Sequence, residues 1–228
     1  MAAQLVLELP HITAFGGEDF LISASNATAA RLVEAWPDWT NPICIITGPE
    51  GAGKTHLVNV WRARSGAAAY HAGDIQDAIA AVLGDLAPVA IEDVDDGRLD
   101  EHAAFHLLNL ARERSFDVLM TGRTPPGRWD VALPDLRSRL RSAAWVEIEE
   151  PDEALLRAVL VKLFADRQLA VGPEVIDYIM PRMERSMAAA SAVVEALDKA
   201  ALAERKGITR PLAAKLLGQG RGKQSAAE

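Results

Sequence analysis

The chain has 228 residues, half of them apolar, with a formal net charge of −8, which allows a sizeable core and excludes wholesale disorder. No run of about 18 apolar residues occurs, and Met1 to Pro10 lack the basic start and apolar core of a secretory signal, so neither a transmembrane helix nor a secretory signal is expected. Positions 1–150 hold 22 acidic and 12 basic residues, or −10, and positions 151–228 hold 10 and 12, or +2; with no basic excess overall, autonomous or sequence-specific DNA binding is not expected.

The first segment, Gln4-Leu5-Val6-Leu7-Glu8-Leu9-Pro10, has leucines at period two. By spacing alone it reads as a first strand. Short apolar runs follow at Ile43–Thr47, Ala68–His71, 89–91, 117–121 and 145–148. Between them lie amphipathic segments of helix length, such as 103–114 with Phe105, Leu107, Leu108 and Leu110. Strands alternating with helices predict an α/β fold with a parallel five-stranded sheet covered on both faces. After Glu150-Pro151 the strand runs stop, and 152–166, 173–180, 186–205 and 210–217 all read as helices. Residues 218–228 carry no apolar anchor and are expected to be a disordered tail. Cys44 is the single cysteine and lies in a strand run. It reads as core, can close no internal disulfide, and points to a cytoplasmic location. Trp36, Trp39, Trp61, Trp129 and Trp145 read first as apolar fillers. His102 and His106 stand four apart without a third ligand, so no zinc site is expected.

Gly48-Pro49-Glu50-Gly51-Ala52-Gly53-Lys54-Thr55 fits GxxxxGK[ST] at every fixed position, between the run Ile43–Thr47 and a helical pattern that begins near His56. Glycines turn backbone N–H groups toward one point, and a helix N-terminus adds partial positive charge. Gly48, Pro49, Gly51, Ala52, Gly53, Lys54, Thr55 and His56 are therefore the candidate nucleotide ligands, with Lys54 toward the β- and γ-phosphates and Thr55 on Mg²⁺. The run Val89-Ala90-Ile91 ends in Glu92-Asp93. Glu92 stands where a phosphate-loop enzyme wants an acid for Mg²⁺, and Asp93 where it wants one to polarise the attacking water. Asp95, Asp96, Asp100 and Glu101 read as a solvated loop and helix start.

Three further stretches give the chain its resemblance to the AAA+ ATPases, and to their DnaA branch. Leu119-Met120-Thr121-Gly122-Arg123-Thr124-Pro125-Pro126 resembles the fourth core strand and sensor 1 turn. Leu133-Pro134-Asp135-Leu136-Arg137-Ser138-Arg139-Leu140 resembles the arginine-finger segment. Phe20-Leu21-Ile22 with Ser25-Asn26 resembles the segment that wraps the adenine, which adds Leu21 and Ile22 to the nucleotide-binding candidates. The resemblance runs from Phe15 to Leu217. It implies an AAA+ base over 13–150, a helical lid over 151–217, and ATP or ADP with Mg²⁺ as cofactor. The residues 1–12 stand where DnaA has a longer N-terminal region, and they resemble a sliding-clamp-binding peptide. Gln4 would bond in a polar pocket, with Leu5, Leu7 and Leu9 in an apolar groove. No DNA-reading domain is expected after the lid.

A DnaA-like AAA+ module with such a peptide resembles the Hda family, of the HdaA type. The resemblance implies two partners, the sliding clamp of DNA polymerase III (its β subunit) and DnaA. It implies a regulatory activity: tethered to the DNA-loaded clamp, the protein provokes DnaA to hydrolyse its ATP and prevents over-initiation. Arg139 takes the finger position, with Arg137 and Arg141 as rivals; the plainer reading of Arg139 is a surface bridge to Asp135. Head-to-tail homo-oligomers are admitted by the fold. Two departures argue for weak turnover by the chain itself: Glu92 in place of aspartate, and Ala188 where the lid would carry a sensor 2 arginine, with Arg185 nearly one turn earlier. The alternatives are an autonomous AAA+ ATPase acting as a helicase loader, and a DnaA paralogue that only competes for filament ends.

Overall fold

The computed structural model describes residues 13–15, 20–204 and 206–220. It divides into two compact units, one of residues 14–150 and one that begins at Pro151.

In the first unit a two-stranded ribbon, β1 (Thr13–Phe15) and β2 (Phe20–Ile22), leads into α1 (Ala27–Glu34). Then come β3 (Ile43–Thr47), α2 (Lys54–Ser65), β4 (Ala68–His71), α3 (Ile75–Gly84), β5 (Val89–Glu92), α4 (Glu101–Arg114), β6 (Val118–Gly122), α5 (Pro134–Arg141) and β7 (Ala144–Glu147). The sheet order is β4-β5-β6-β3-β7, and every neighbouring pair is parallel. The five-stranded parallel sheet expected from the apolar runs is thus present. The runs 117–121 and 145–148 are shifted by one residue, and β1 and β2 add a ribbon that period-two reading did not anticipate. The leucines of 4–9 lie outside the described residues.

β3 shows why its run is continuously apolar. Every residue from Ile43 to Thr47 is buried, because both faces of the strand are covered. Ile43 and Ile45 pack with Ile91 and Met120 against Leu107, Leu108, Ile75 and Leu140. Cys44 and Ile46 pack with Ala90 and Leu119 against Val33, Leu57 and Trp61. Period two on a strand divides its side chains between the two layers. Helix ends are closed by local chemistry. The Asp100 carboxylate accepts from the N–H groups of His102 and Ala103 at 3.0 Å and starts α4. Gly66, at φ 72°, ends α2. Arg64 donates to the carbonyls of Val33 and Trp36 at 3.0 Å and so caps the far end of α1.

The second unit is all helical: α6 (Glu153–Asp166), α7 (Pro173–Ile179), α8 (Met187–Glu204) and α9 (Arg210–Gly220). Leu160, Phe164, Ile176, Ile179, Val194 and Leu197 form its core. α9 runs on through Gly220, so Gly218–Gly220 are helical where a disordered tail was expected to begin. Among the described residues no helix is long and apolar enough to cross a membrane.

Asp117 and Cys44 give this packing two readouts. Burial raises the pKa of Asp117 above its ordinary value, against the opposing hydrogen bond from Trp36 Nε1 at 2.9 Å. A carboxyl with a raised folded pKa binds its proton more tightly when folded. Its contribution to stability therefore falls as pH rises from the unfolded value of 3.8 through the raised one, and is constant above both. Asp117→Asn keeps an acceptor for Trp36 and removes the titration, so in urea unfolding at stepped pH its stability relative to wild type should rise as pH rises through that window. Burial, with a smaller contribution from Asp117, pushes the Cys44 thiol up to about 12. A thiol reagent at mildly alkaline pH should leave the native chain unmodified and titrate Cys44 fully in denaturant.

Candidate functional site

The loop after β3 is built by glycines that other residues could not replace. A Cβ on Gly48, at φ 154°, would stand 2.5 Å from the carbonyl oxygen of Ile148. Gly51 and Gly53 take φ values of 73° and 102°, the left-handed region that favours glycine. Pro49 and Ala52 complete the turn, with Ala52 N–H donating to the Pro49 carbonyl at 3.3 Å. α2 then begins at Lys54, and Leu57 N–H bonds the Gly53 carbonyl at 3.1 Å. Lys54 is buried, and its Nζ donates to the carbonyls of Gly48 at 2.7 Å and Pro49 at 2.9 Å. Burial pulls its pKa below the ordinary lysine value, the charges of Asp93, Asp95 and Glu50 oppose this, and that of Arg123 adds to it.

Glu92 reaches the loop despite being one methylene longer than aspartate. Thr55 Oγ1 donates to Glu92 Oε2 at 2.7 Å. Asp93 has a left-handed backbone, φ 57°, and its N–H donates to Thr121 Oγ1 at 3.2 Å. Its carboxylate lies 3.7 Å from His71 Nδ1. So Lys54, Thr55, Glu92 and Asp93 are gathered at the C-terminal edge of the sheet, where open α/β folds place ligands.

On the other side of the loop, the Phe20 ring stands 5.1 Å from that of His56. Leu21 and Ile22 are half-buried. Asn26 holds this segment in place: its Nδ2 donates to the Leu21 carbonyl and its Oδ1 accepts from Ser23 N–H, both at 2.9 Å. Serine and asparagine here serve a turn, a role visible in sequence only as polar residues before a helix.

Asp95, Asp96, Asp100 and Glu101 form the loop and helix start expected of them, with Asp96 and Asp100 exposed, and they also make specific bonds. Asp95 accepts from the N–H groups of Arg123 and Thr124 and from Thr124 Oγ1, each at 2.9 Å. Glu101 accepts from the N–H groups of Ala132 and Leu133 at 2.8 and 2.6 Å, and these bonds hold its pKa below the usual carboxylate value. Asp96 pairs with Arg98, and Asp100 caps α4. Both Asp95 and Glu101 bind backbone N–H groups about 30 residues downstream, which no local pattern announces. The one sequence signal was Gly122 before Arg123, since a Cβ there would lie 2.9 Å from Trp129 and 3.1 Å from Asp95.

The arginines of α5 differ from one another. Arg137 donates through Nε, at 3.1 Å, and through Nη2 to the Val131 carbonyl, so it is tied to the entry of its own helix. Arg139 is half-buried, and among the described residues its guanidinium has no hydrogen bond or ion pair, neither with Asp135 nor with the loop residues. Arg141 is exposed. In the helical unit, Ser186 Oγ accepts from Ala189 N–H at 3.1 Å and starts α8, which leaves Ala188 exposed in its first turn beside exposed Arg185. Gln4, Leu5, Leu7 and Leu9 lie outside the described residues.

Residues 152–217 match the family model of the Hda lid domain. Over 196 residues the chain is 25% identical to the chromosomal replication initiator protein DnaA of Cutibacterium acnes, covering 75% of this chain and 39% of that protein; it thus spans about two fifths of the length of this relative. Among solved structures, domain III of Thermotoga maritima DnaA superposes with a TM-score of 0.74 at 17% identity, over 88% of this chain and 94% of that one. AMPPCP-bound DnaA of Aquifex aeolicus gives 0.66 at 21% identity, over 79% and 64%. A segment that matches the Hda lid model thus follows a phosphate-loop base folded as in domain III of DnaA, and these likenesses support an Hda/DnaA-related AAA+ family.

Proposed function

We propose that the chain binds an adenine nucleotide in the loop 48–55 and acts as a regulatory inactivator of DnaA. The observation that carries this reading is Arg139: on a chain with an Hda-type lid, the guanidinium at the finger position has no partner among the described residues. Guanidinium has five donors and a permanent charge, and it fits phosphate oxygens in a fork. In this reading residues 4–9 hold the chain on the DNA-loaded sliding clamp. Arg139 reaches the γ-phosphate of ATP bound to DnaA and stabilises the charge that develops in the transition state.

The chain's own site supports nucleotide binding, as does the AMPPCP carried by its DnaA neighbour. Glycine-turned N–H groups and the start of α2 suit phosphate, and Lys54 can exchange two carbonyl partners for phosphate oxygens. Thr55 Oγ1 and Glu92 Oε2 are hard oxygen donors already in contact, the type Mg²⁺ takes alongside phosphates and water. When bound, the ion supplies neutralisation of phosphate charge. The same contact favours a second reading, in which Asp93 orients water for steady turnover and the chain is an autonomous ATPase of the helicase-loader kind. Against it stands Ala188, which offers no group to a phosphate.

The decisive measurement is hydrolysis of ATP preloaded on DnaA, with DNA-loaded clamp present. The chain should accelerate it. Arg139→Ala should lower that acceleration by on the order of 10³-fold, and Arg139→Lys should not restore it. A Gln4→Ala, Leu5→Ala double variant should lose the clamp requirement together with the effect. Steady turnover by the chain alone, with DnaA hydrolysis unmoved, would overturn the reading in favour of the ATPase. Separately, Lys54→Ala should abolish binding of ADP in calorimetry, while Glu92→Gln should retain ADP binding with its Mg²⁺ dependence reduced.

A further inference from the structure

Two opposite charges at the mouth of the phosphate loop have no part in the reading above. Glu50 is the third residue of the loop, and Arg123 is the first after β6. Glu50 Oε2 lies 3.1 Å from Arg123 Nη1.

Their backbones are held. Gly48 N–H donates to the Gly122 carbonyl at 3.2 Å, which ties the start of the loop to the end of β6. The Asp95 carboxylate holds the N–H groups of Arg123 and Thr124 at 2.9 Å. Gly122 has no room for a side chain. The freedom left at Arg123 is that of its side chain, which is 59% exposed, against 77% for Glu50. An ion pair this exposed is weak and exchangeable. Both groups already act on Lys54, with opposite signs, so they share the field of the phosphate site.

A phosphate is a better partner for guanidinium than a lone exposed carboxylate, because it carries more charge and accepts bidentate bonds. A diphosphate seated on the loop amides ends close to them. A triphosphate adds an anion further out, and that anion must take Arg123 from Glu50. We propose that Glu50 competes with the terminal phosphate for Arg123, so that the pair sets how strongly the site prefers nucleoside triphosphate over diphosphate. The inference rests on the loop being the nucleotide site.

The test is calorimetric titration of the full chain with Mg²⁺ and either ADP or AMPPCP, for wild type, Glu50→Gln, Arg123→Gln and the double variant. Glu50→Gln should raise the ratio of AMPPCP to ADP affinity about 1.4- to fivefold, the range an exposed ion pair can supply. Arg123→Gln should lower that ratio, and in its background Glu50→Gln should no longer move it. A ratio unmoved by Glu50→Gln, with both nucleotides still binding, overturns the inference alone. So does an effect of Glu50→Gln that persists without Arg123, which would mark plain repulsion by the carboxylate. A wild-type chain that binds neither nucleotide overturns the loop reading as well. Circular dichroism of each variant separates loss of fold from loss of contact, and Arg123→Lys, which keeps charge without the fork, should fall between wild type and Arg123→Gln.

Discussion

The site depends on the parallel register of β6 between β5 and β3. Val118 stands opposite both Ile43 and Val89, so the three strands end at one edge. The last two residues of β6 then do the joining. Thr121 receives Asp93 N–H on its hydroxyl and Val94 N–H on its carbonyl. Gly122 receives Gly48 N–H on its carbonyl. A slip of one residue would invert every side chain of β6 and break all three ties at once. The apolar burial of Leu119 on one face and Met120 on the other is what holds the register.

The acid-rich segment after β5 is a consequence of that edge. Where strands end, loops begin, and their N–H groups lose ladder partners. An N–H left unpaired away from water costs about 1–3 kcal/mol. Asp95 and Glu101 between them take four such groups from the loops before and after Pro126. The charges of Asp95 and Glu101 are therefore fixed to backbone, and they serve loop shape as well as solubility. The arrangement also holds the backbone of Arg123 while its side chain stays exposed.

The legible parts of the molecule were those set by neighbours in sequence. β3 could be read because burial on both faces demands an unbroken apolar run, and the phosphate loop because its left-handed turns need glycine at Gly51 and Gly53. The number of strands and their parallel order followed from their alternation with helices. What escaped was long-range. Asp95 looks like any loop acid until β6 brings Thr124 beside it. Arg137 looks as free as Arg139 until the Val131 carbonyl is seen within reach of its guanidinium. Glu92 departs from the usual aspartate, but side-chain flexibility takes up one methylene, and Thr55 meets it. The end of α9 escaped for another reason. Glycine marks a helix stop only on average, and three more residues of backbone pairing extend α9 past Leu217.

The contrast among the arginines bears on partner chemistry. Arg64 and Arg137 hold backbone carbonyls, and Arg123 holds Glu50. Each is satisfied within its own unit. Arg139 is half-buried, and its guanidinium has no partner among the described residues. Any surface that covers it must supply acceptors, because a desolvated guanidinium without them costs several kcal/mol. An apolar or cationic surface would be rejected, and a phosphate would be accepted with two bonds at once. The selectivity of this position for an anion thus follows from the lack of a partner within the unit, and it is strongest in an interface that excludes water.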